Sequence, residues 1–270
     1  MKKQLHRFSI PIIILFFVIL ALASNSSPDR ATQSNNQGNV SQQTAAPEND
    51  SQDNEPNPAP NPSSGEDELT YEITYQNAET WVNSIGTVWV QVIVEVTNTG
   101  SVPLYLSSGA FDLEDQSGSL VKSVSMVSSY PDIIEPGEKG YYYEETTLDV
   151  DEPIELVVLP RPDIRRARIE NIRYAVTDLT LSETTFNDIK MMGRVENTHD
   201  EEQEMVYVVA ILFDSNGVPI GRILEIIMEH FQPGDKIGFE ASSFSMPNRI
   251  KLGDIASHEV YAYPMQYQFN

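Results

Sequence analysis

The second half of the chain states one pattern twice, and this constrains the fold more than any other feature. Val96-Thr97-Asn98-Thr99 recurs as Val195-Glu196-Asn197-Thr198. Phe111-Asp112 followed by Ser117-Gly118 recurs as Phe213-Asp214 followed by Asn216-Gly217. Pro136-Gly137-Glu138-Lys139 recurs as Pro233-Gly234-Asp235-Lys236. Asn98, Gly118 and Pro136 recur at offsets of 99, 99 and 97 positions, with turn residues matched to turn residues. Spacing that steady marks a duplicated domain of about 100 residues.

Each copy has the periodicity of strands. Val88, Val90, Val92, Val94 and Val96 share one face, opposite Trp89, Gln91, Ile93, Glu95 and Thr97. β-Branched residues at a spacing of two make a half-buried strand and share no helical face. Leu69, Tyr71, Ile73 and Tyr75 alternate in the same way. Val206, Val208, Ala210 and Leu212 do so in the second copy, with Tyr207, Val209, Ile211 and Phe213 opposite. A strand apolar on both faces belongs at the centre of a sheet. Asn98-Thr99-Gly100, Asp115 to Gly118, Asp214 to Gly217, Pro136-Gly137 and Pro233-Gly234 are the turns between strands. Ile223 to His230 also fits a helical face, but by analogy with Val121 to Val127 it is expected to be a strand. The expected fold is all-β: two tandem immunoglobulin-like antiparallel β-sandwiches, at residues 68–160 and 164–270.

Gly193-Arg194-Val195-Glu196-Asn197-Thr198, Ala210-Ile211-Leu212-Phe213-Asp214, Gly217 and Phe231-Gln232-Pro233-Gly234-Asp235-Lys236 resemble the FxLYD domain family. Val209 or Ala210 stands where that family's motif has phenylalanine. The first copy, from Val94 through Asn98-Thr99-Gly100 and Phe111-Asp112-Leu113 to Pro136-Gly137-Glu138, is similar to telokin-like domains of bacterial exported proteins. Both resemblances imply an immunoglobulin-like sandwich at the cell surface. Their motifs are structural, so they imply no catalytic residue.

The N-terminus is expected to be a targeting segment. Lys2, Lys3 and Arg7 precede a run from Phe8 to Ala23, and Ala21-Leu22-Ala23 has the small-x-small spacing of a signal-peptidase site. Residues 1–23 are either a cleaved signal peptide or a retained membrane anchor, and the only membrane contact is expected there. Residues 24–67, rich in Ser, Asn, Gln, Pro and Asp, form an acidic linker expected to be disordered, with an r.m.s. span of roughly 35–40 Å. The 270 residues contain no cysteine, which excludes a lipid-modified cysteine, disulfides and thiolate chemistry. The net charge of −23 becomes −26 without residues 1–23 and excludes nucleic acid as a natural partner.

Chemistry-bearing motifs are scarce. His199, His230 and His258 lack metal spacing, and no G-x-S-x-G elbow occurs. The acidic runs around Asp112–Asp115 and Asp200–Glu204 do not follow the twelve-residue calcium loop. No metal, cofactor or catalysis is therefore expected. Two patches remain as binding candidates. Trp81, Trp89 and the run Tyr141-Tyr142-Tyr143 are aromatic, and one face of the tyrosine strand is expected to lie exposed. Arg161, Arg165, Arg166 and Arg168 cluster where Pro160 and Pro162 suggest a stiff connector between domains. The function expected is a surface-tethered binding or scaffolding module for a protein or cell-wall component. A passive envelope spacer and a hydrolase with a site between the domains are the alternatives.

Overall fold

Strands β1 (Tyr71–Val82) and β2 (Val88–Asn98) form the hairpin that begins the fold, and the five valines of β2 are buried along its inner face. The Asn83 side chain closes their turn by accepting hydrogen bonds from the amides of Ile85 (3.1 Å) and Thr87 (2.8 Å). The chain continues as β3 (Leu104–Glu114), β4 (Leu120–Tyr130), β5 (Ile133–Ile134), β6 (Lys139–Leu148) and β7 (Val157–Arg166). The computed structural model describes residues 69–185, 188–243 and 250–265, so the expectations for residues 1–67 lie outside the described residues. Among the described residues there is no α-helix, and no helix long and apolar enough to cross a membrane.

One layer of the first half is β1-β2-β6 and the other is β7-β3-β4. Strand β4 belongs to both layers. Leu120 to Val127 pair with β3, whereas Ser128 to Tyr130 pair with β6. The change of partner falls beside Met126, whose φ of 59° bends the strand from one sheet into the other. Between the layers Val88 to Val96 meet Leu104, Leu106, Phe111, Leu113, Val127 and Tyr142 in one core.

The second half repeats this plan. After residues 167–174 come β8 (Ala175–Glu183), β9 (Ile189–Glu196), β10 (Val206–Phe213), β11 (Pro219–Ile227), β12 (Lys236–Ser242) and, beyond a 3-10 turn at Leu252–Asp254, β13 (Ser257–Pro264). Its sheets, β8-β9-β12 and β11-β10-β13, match β1-β2-β6 and β4-β3-β7 strand for strand. The fold is thus two tandem antiparallel β-sandwiches, as the duplicated sequence required. The segment from Ile223 is extended up to Ile227, as part of β11, and β10 is central in its sheet. The second core gathers Ile189, Met191, Val195, Val206, Val208, Leu212, Ile223 and Phe231.

The repeated motifs turn out to be hydrogen-bonded corners. Asn98 donates from Nδ2 to the carbonyls of Val102 (2.9 Å) and Ile134 (3.1 Å), and its Oδ1 accepts from the Gly100 amide (3.0 Å). Asn197 donates to Glu201 (2.8 Å) and Phe231 (2.9 Å) and accepts from His199 (3.0 Å). Both asparagines are almost wholly buried, and the amides of Gly137 and Gly234 donate to their carbonyls. Those glycines have φ of 85° and 83°, in the left-handed region that side chains disfavour. Asp115 and Asp214 close the β3–β4 and β10–β11 turns, each carboxylate accepting two amides of its own loop. These hydrogen bonds hold both carboxyls below their ordinary pKa: the Ser117 side chain is the largest influence on Asp115, and the Val218 amide on Asp214.

A third apolar cluster lies between the two sandwiches, inside one compact unit that spans Ala59–Asn270. Ile93, Tyr130, Tyr141 and Tyr143 from the first half meet Val209, Ile211, Phe213 and Tyr263 from the second. The outer faces of β2 and β6 are therefore covered by β10 and β13, which explains why β10 is apolar on both sides.

Candidate functional site at the join of the sandwiches

The expectation of an exposed tyrosine face is corrected here. Tyr141, Tyr142 and Tyr143 retain only 0, 0 and 3% exposure. Strand alternation sends Tyr142 into the core of the first sandwich, where its hydroxyl donates to the Asp163 carbonyl (3.3 Å). It sends Tyr141 and Tyr143 to the opposite face, which the second sandwich covers. Tyr141 meets Phe213 edge to face with centroids 6.1 Å apart, and its hydroxyl donates to Glu259 Oε2 (3.3 Å). Burial, with the Glu259 charge second, pushes that hydroxyl far above the ordinary tyrosine range.

The arginines of the expected connector are also elsewhere. Arg161, Arg165 and Arg166 belong to β7, paired with β3, and only Arg168 lies between the sandwiches in sequence. Arg161 bonds Asp112 (2.9 Å) and Arg165 bonds Asp163 (2.6 Å), both within the first sandwich. Pro160 and Pro162 are tolerated because β7 is an edge strand whose ladder is formed on one side only.

Two other arginines hold the join. Arg222, on β11, lies over the rings of Tyr130 (4.9 Å) and Tyr143 (4.5 Å) and donates from Nη1 to the Tyr130 hydroxyl (2.6 Å). Arg173, in the true connector, lies over Tyr263 (5.3 Å) and donates to the Ile133 carbonyl. Burial lowers the Arg173 pKa, while the Asp132 charge pulls it back. Burial likewise pushes the Asp132 carboxyl up to about 6, against the attraction of Arg173. Gln91 Nε2 donates to the Ile220 carbonyl (2.9 Å), and Asn171 Nδ2 to Glu135 Oε1 (3.0 Å). Arg222 stands apart in the sequence, and Arg173 lies five positions past Arg168, just beyond the arginine stretch singled out there; the apolar second face of β10 was the further signal that a cover was needed.

At the rim of this join is a crevice of about 270 Å³. Trp89 from β2, Ser128 and Tyr130 from β4, and Tyr143, Glu144 and Glu145 from β6 line it, with Arg222 supplied by the second sandwich. The crevice opens where β4 leaves β6 for the other sheet, because β6 beyond Tyr143 loses that neighbour. Trp89 is held by stacking on Trp81, with centroids 6.3 Å apart and 23° between planes. The Tyr143 hydroxyl donates to Glu145 Oε1. Glu144 is half-buried; burial raises its carboxyl pKa, Arg222 and Lys122 draw it down, and Glu145 pushes it up. Of the five aromatic residues singled out from the sequence, Trp89 and Tyr143 meet in the crevice and Trp81 buttresses it. Tyr141 and Tyr142 do neither.

The histidines and acidic loops have local roles. His230 pairs with Glu202, and His199 packs edge to face on Tyr174 at 5.6 Å. Among the described residues no group of three or more His, Asp or Glu side chains is arranged to hold a metal ion. No protein-family model and no curated protein matches the chain.

Proposed function

We propose that the protein is an exported, surface-tethered module that binds or scaffolds a partner, either a protein or a cell-wall component, without catalysis. The observation that carries this reading is the crevice at the join, whose walls come from both sandwiches. A site framed by packed strands keeps its geometry without ordering a loop on binding, which lowers the cost of association. Aromatic residues and arginine, which the crevice has in Trp89, Tyr130, Tyr143 and Arg222, are enriched at recognition surfaces. The resemblance to FxLYD and telokin-like domains supports a place at the cell surface, by analogy of fold alone.

The test compares the full-length wild type with Trp89→Ala and, as a distant control, Arg161→Ala, each immobilised and exposed to envelope fractions. A component retained by wild type and Arg161→Ala but lost with Trp89→Ala is the expected result, with thermal melts establishing that all three are folded. Equal retention by all three, or retention by none, overturns the reading. The buried join favours a passive strut as the second reading, because it stiffens two bodies into one. A strut tolerates Trp89→Ala in the cell and responds only to variants that loosen the join.

A further inference from the structure

We propose that the crevice at the join is a receptor for a single alkylammonium group, carried either by a free amine or by a lysine side chain of a polypeptide. This inference rests on the binding role proposed above and specifies its ligand chemistry.

The walls select charge. Glu144, Glu145 and Arg222 sum to one surplus negative charge. Arg222 does not compete for an anion, because its guanidinium is engaged inside the join by two rings and the Tyr130 hydroxyl. Its Nε is fully buried and faces no solvent. Glu145 receives the Tyr143 hydroxyl. Glu144 is left as the carboxylate held by through-space attraction to Arg222 and Lys122, which burial outweighs. A guest of charge +1 would balance it.

The walls also select the kind of cation. Trp89, Tyr130 and Tyr143 are among the lining residues, and aromatic rings attract an organic ammonium by their negative faces but do not ligate metals. Arg222 already takes one face of Tyr130 and one of Tyr143, at 4.9 and 4.5 Å, so the ammonium is assigned to the remaining ring surface of the crevice, that of Trp89 foremost. The volume of about 270 Å³ falls below the range of about 300–1,000 Å³ usual for whole small-molecule ligands. One side-chain-sized group fits that space. The net charge of −23 concentrates cations around the whole molecule and speeds their approach.

The experiment titrates the full chain, following the fluorescence of Trp81 and Trp89, the chain's two tryptophans. The probes are Nα-acetyl-lysine methylamide, its neutral analogue Nα-acetyl-norleucine methylamide, and n-butylammonium. Saturable binding of the lysine probe is expected in the millimolar range or tighter, with the norleucine probe at least about tenfold weaker, equivalent to about 1.4 kcal/mol. Glu144→Gln should weaken the lysine probe by a similar factor while leaving the melting curve near wild type. If Glu144→Gln does not fold, the lysine–norleucine comparison in wild type decides alone. Tighter binding of the lysine probe than of n-butylammonium assigns the site to a polypeptide lysine, and the reverse assigns it to a free amine. Norleucine binding as well as lysine, a Glu144→Gln affinity equal to wild type, or no saturation overturns the proposal. If the probes fail while an envelope component is still lost with Trp89→Ala, only the ligand assignment falls; if both fail, the binding role falls with it.

Discussion

The Arg222 guanidinium, contributed by the second sandwich, lies 4.9 Å over the ring of Tyr130 in the first and donates to its hydroxyl at 2.6 Å. A charged donor and a ring contact are thereby combined in a single cross-join pair. A desolvated cation–π contact contributes about 2 kcal/mol, and a hydrogen bond from a charged donor about 1.5–3 kcal/mol. The two overlap in one residue, and burial of the unpartnered Nε offsets part of the gain. Arg222→Ala should therefore cost about 2–3 kcal/mol, with Arg222→Lys intermediate because a lysine loses the planar fork. Urea denaturation measures it. A loss below about 0.5 kcal/mol, the range of an ordinary surface substitution, would remove Arg222 from the list of residues that hold the join.

Asn98 and Asn197 should behave as a matched pair. Each amide donates to two carbonyls of its own corner, of which that of Phe231 also takes the Gln203 amide, and a buried acceptor that loses its donor costs about 1–3 kcal/mol. Asn98→Ala and Asn197→Ala are each expected to destabilise by about 2–4 kcal/mol, and Asp at either position should fail as well, since it offers no donor when ionised. Equal, large losses at both sites, measured by chemical denaturation, are the prediction. A near-neutral result at one of them would mean that the two corners are alike in geometry but not in energetics.

Asp132 makes the stability depend on pH. Its carboxyl titrates at about 6 in the folded protein instead of 3.8, chiefly because it is buried. A folded pKa above the unfolded one favours the protonated form in the native state. Its contribution is thus complete below about pH 3.8 and is lost as pH rises through about 6; for that shift the linkage amounts to about 3 kcal/mol at most. Asp132→Asn, neutral throughout, should gain on wild type by up to that amount between pH 4 and pH 7. Urea midpoints at both pH values test this. A wild-type-to-variant difference that is constant with pH would show that Asp132 ionises as freely in the folded chain as in the unfolded one.

How far the sequence foretold the structure is clearest from the residues where it failed. The valine alternation of β2 and the Asn-Thr and Pro-Gly corners were legible because they report local geometry, spacing of two and φ above zero. Tyr141 and Tyr143 were not, because periodicity shows that a strand has a second face but not what covers it. The cover was written 66 to 72 residues away, in Val209, Ile211 and Phe213. Pro160 and Pro162 suggested a linker, although a proline is equally compatible with an edge strand such as β7. Arg173 and Arg222 carry no local pattern, since a cross-join contact between residues some 80 to 90 positions apart leaves no trace in either neighbourhood.

The join can be tested apart from the sandwiches. Ile211 is almost wholly buried, but among Ile93, Tyr141 and Phe213 and not in the core of its own sandwich. Its neighbours in β10, Ala210 and Leu212, point the other way into that core. Ile211→Glu places an unpaired carboxylate in the join, which costs several kcal/mol as long as the join stays closed. Opening the join exposes the carboxylate to water and leaves both cores intact, so separation is the less costly response. The expected result is unchanged far-ultraviolet circular dichroism, a larger radius of gyration by solution scattering, and new protease cleavage within residues 167–174. Loss of all β signal would show that the third cluster is part of a common core. An unchanged radius of gyration would show that the face of Ile211 can take up a charge without parting from the tyrosines opposite.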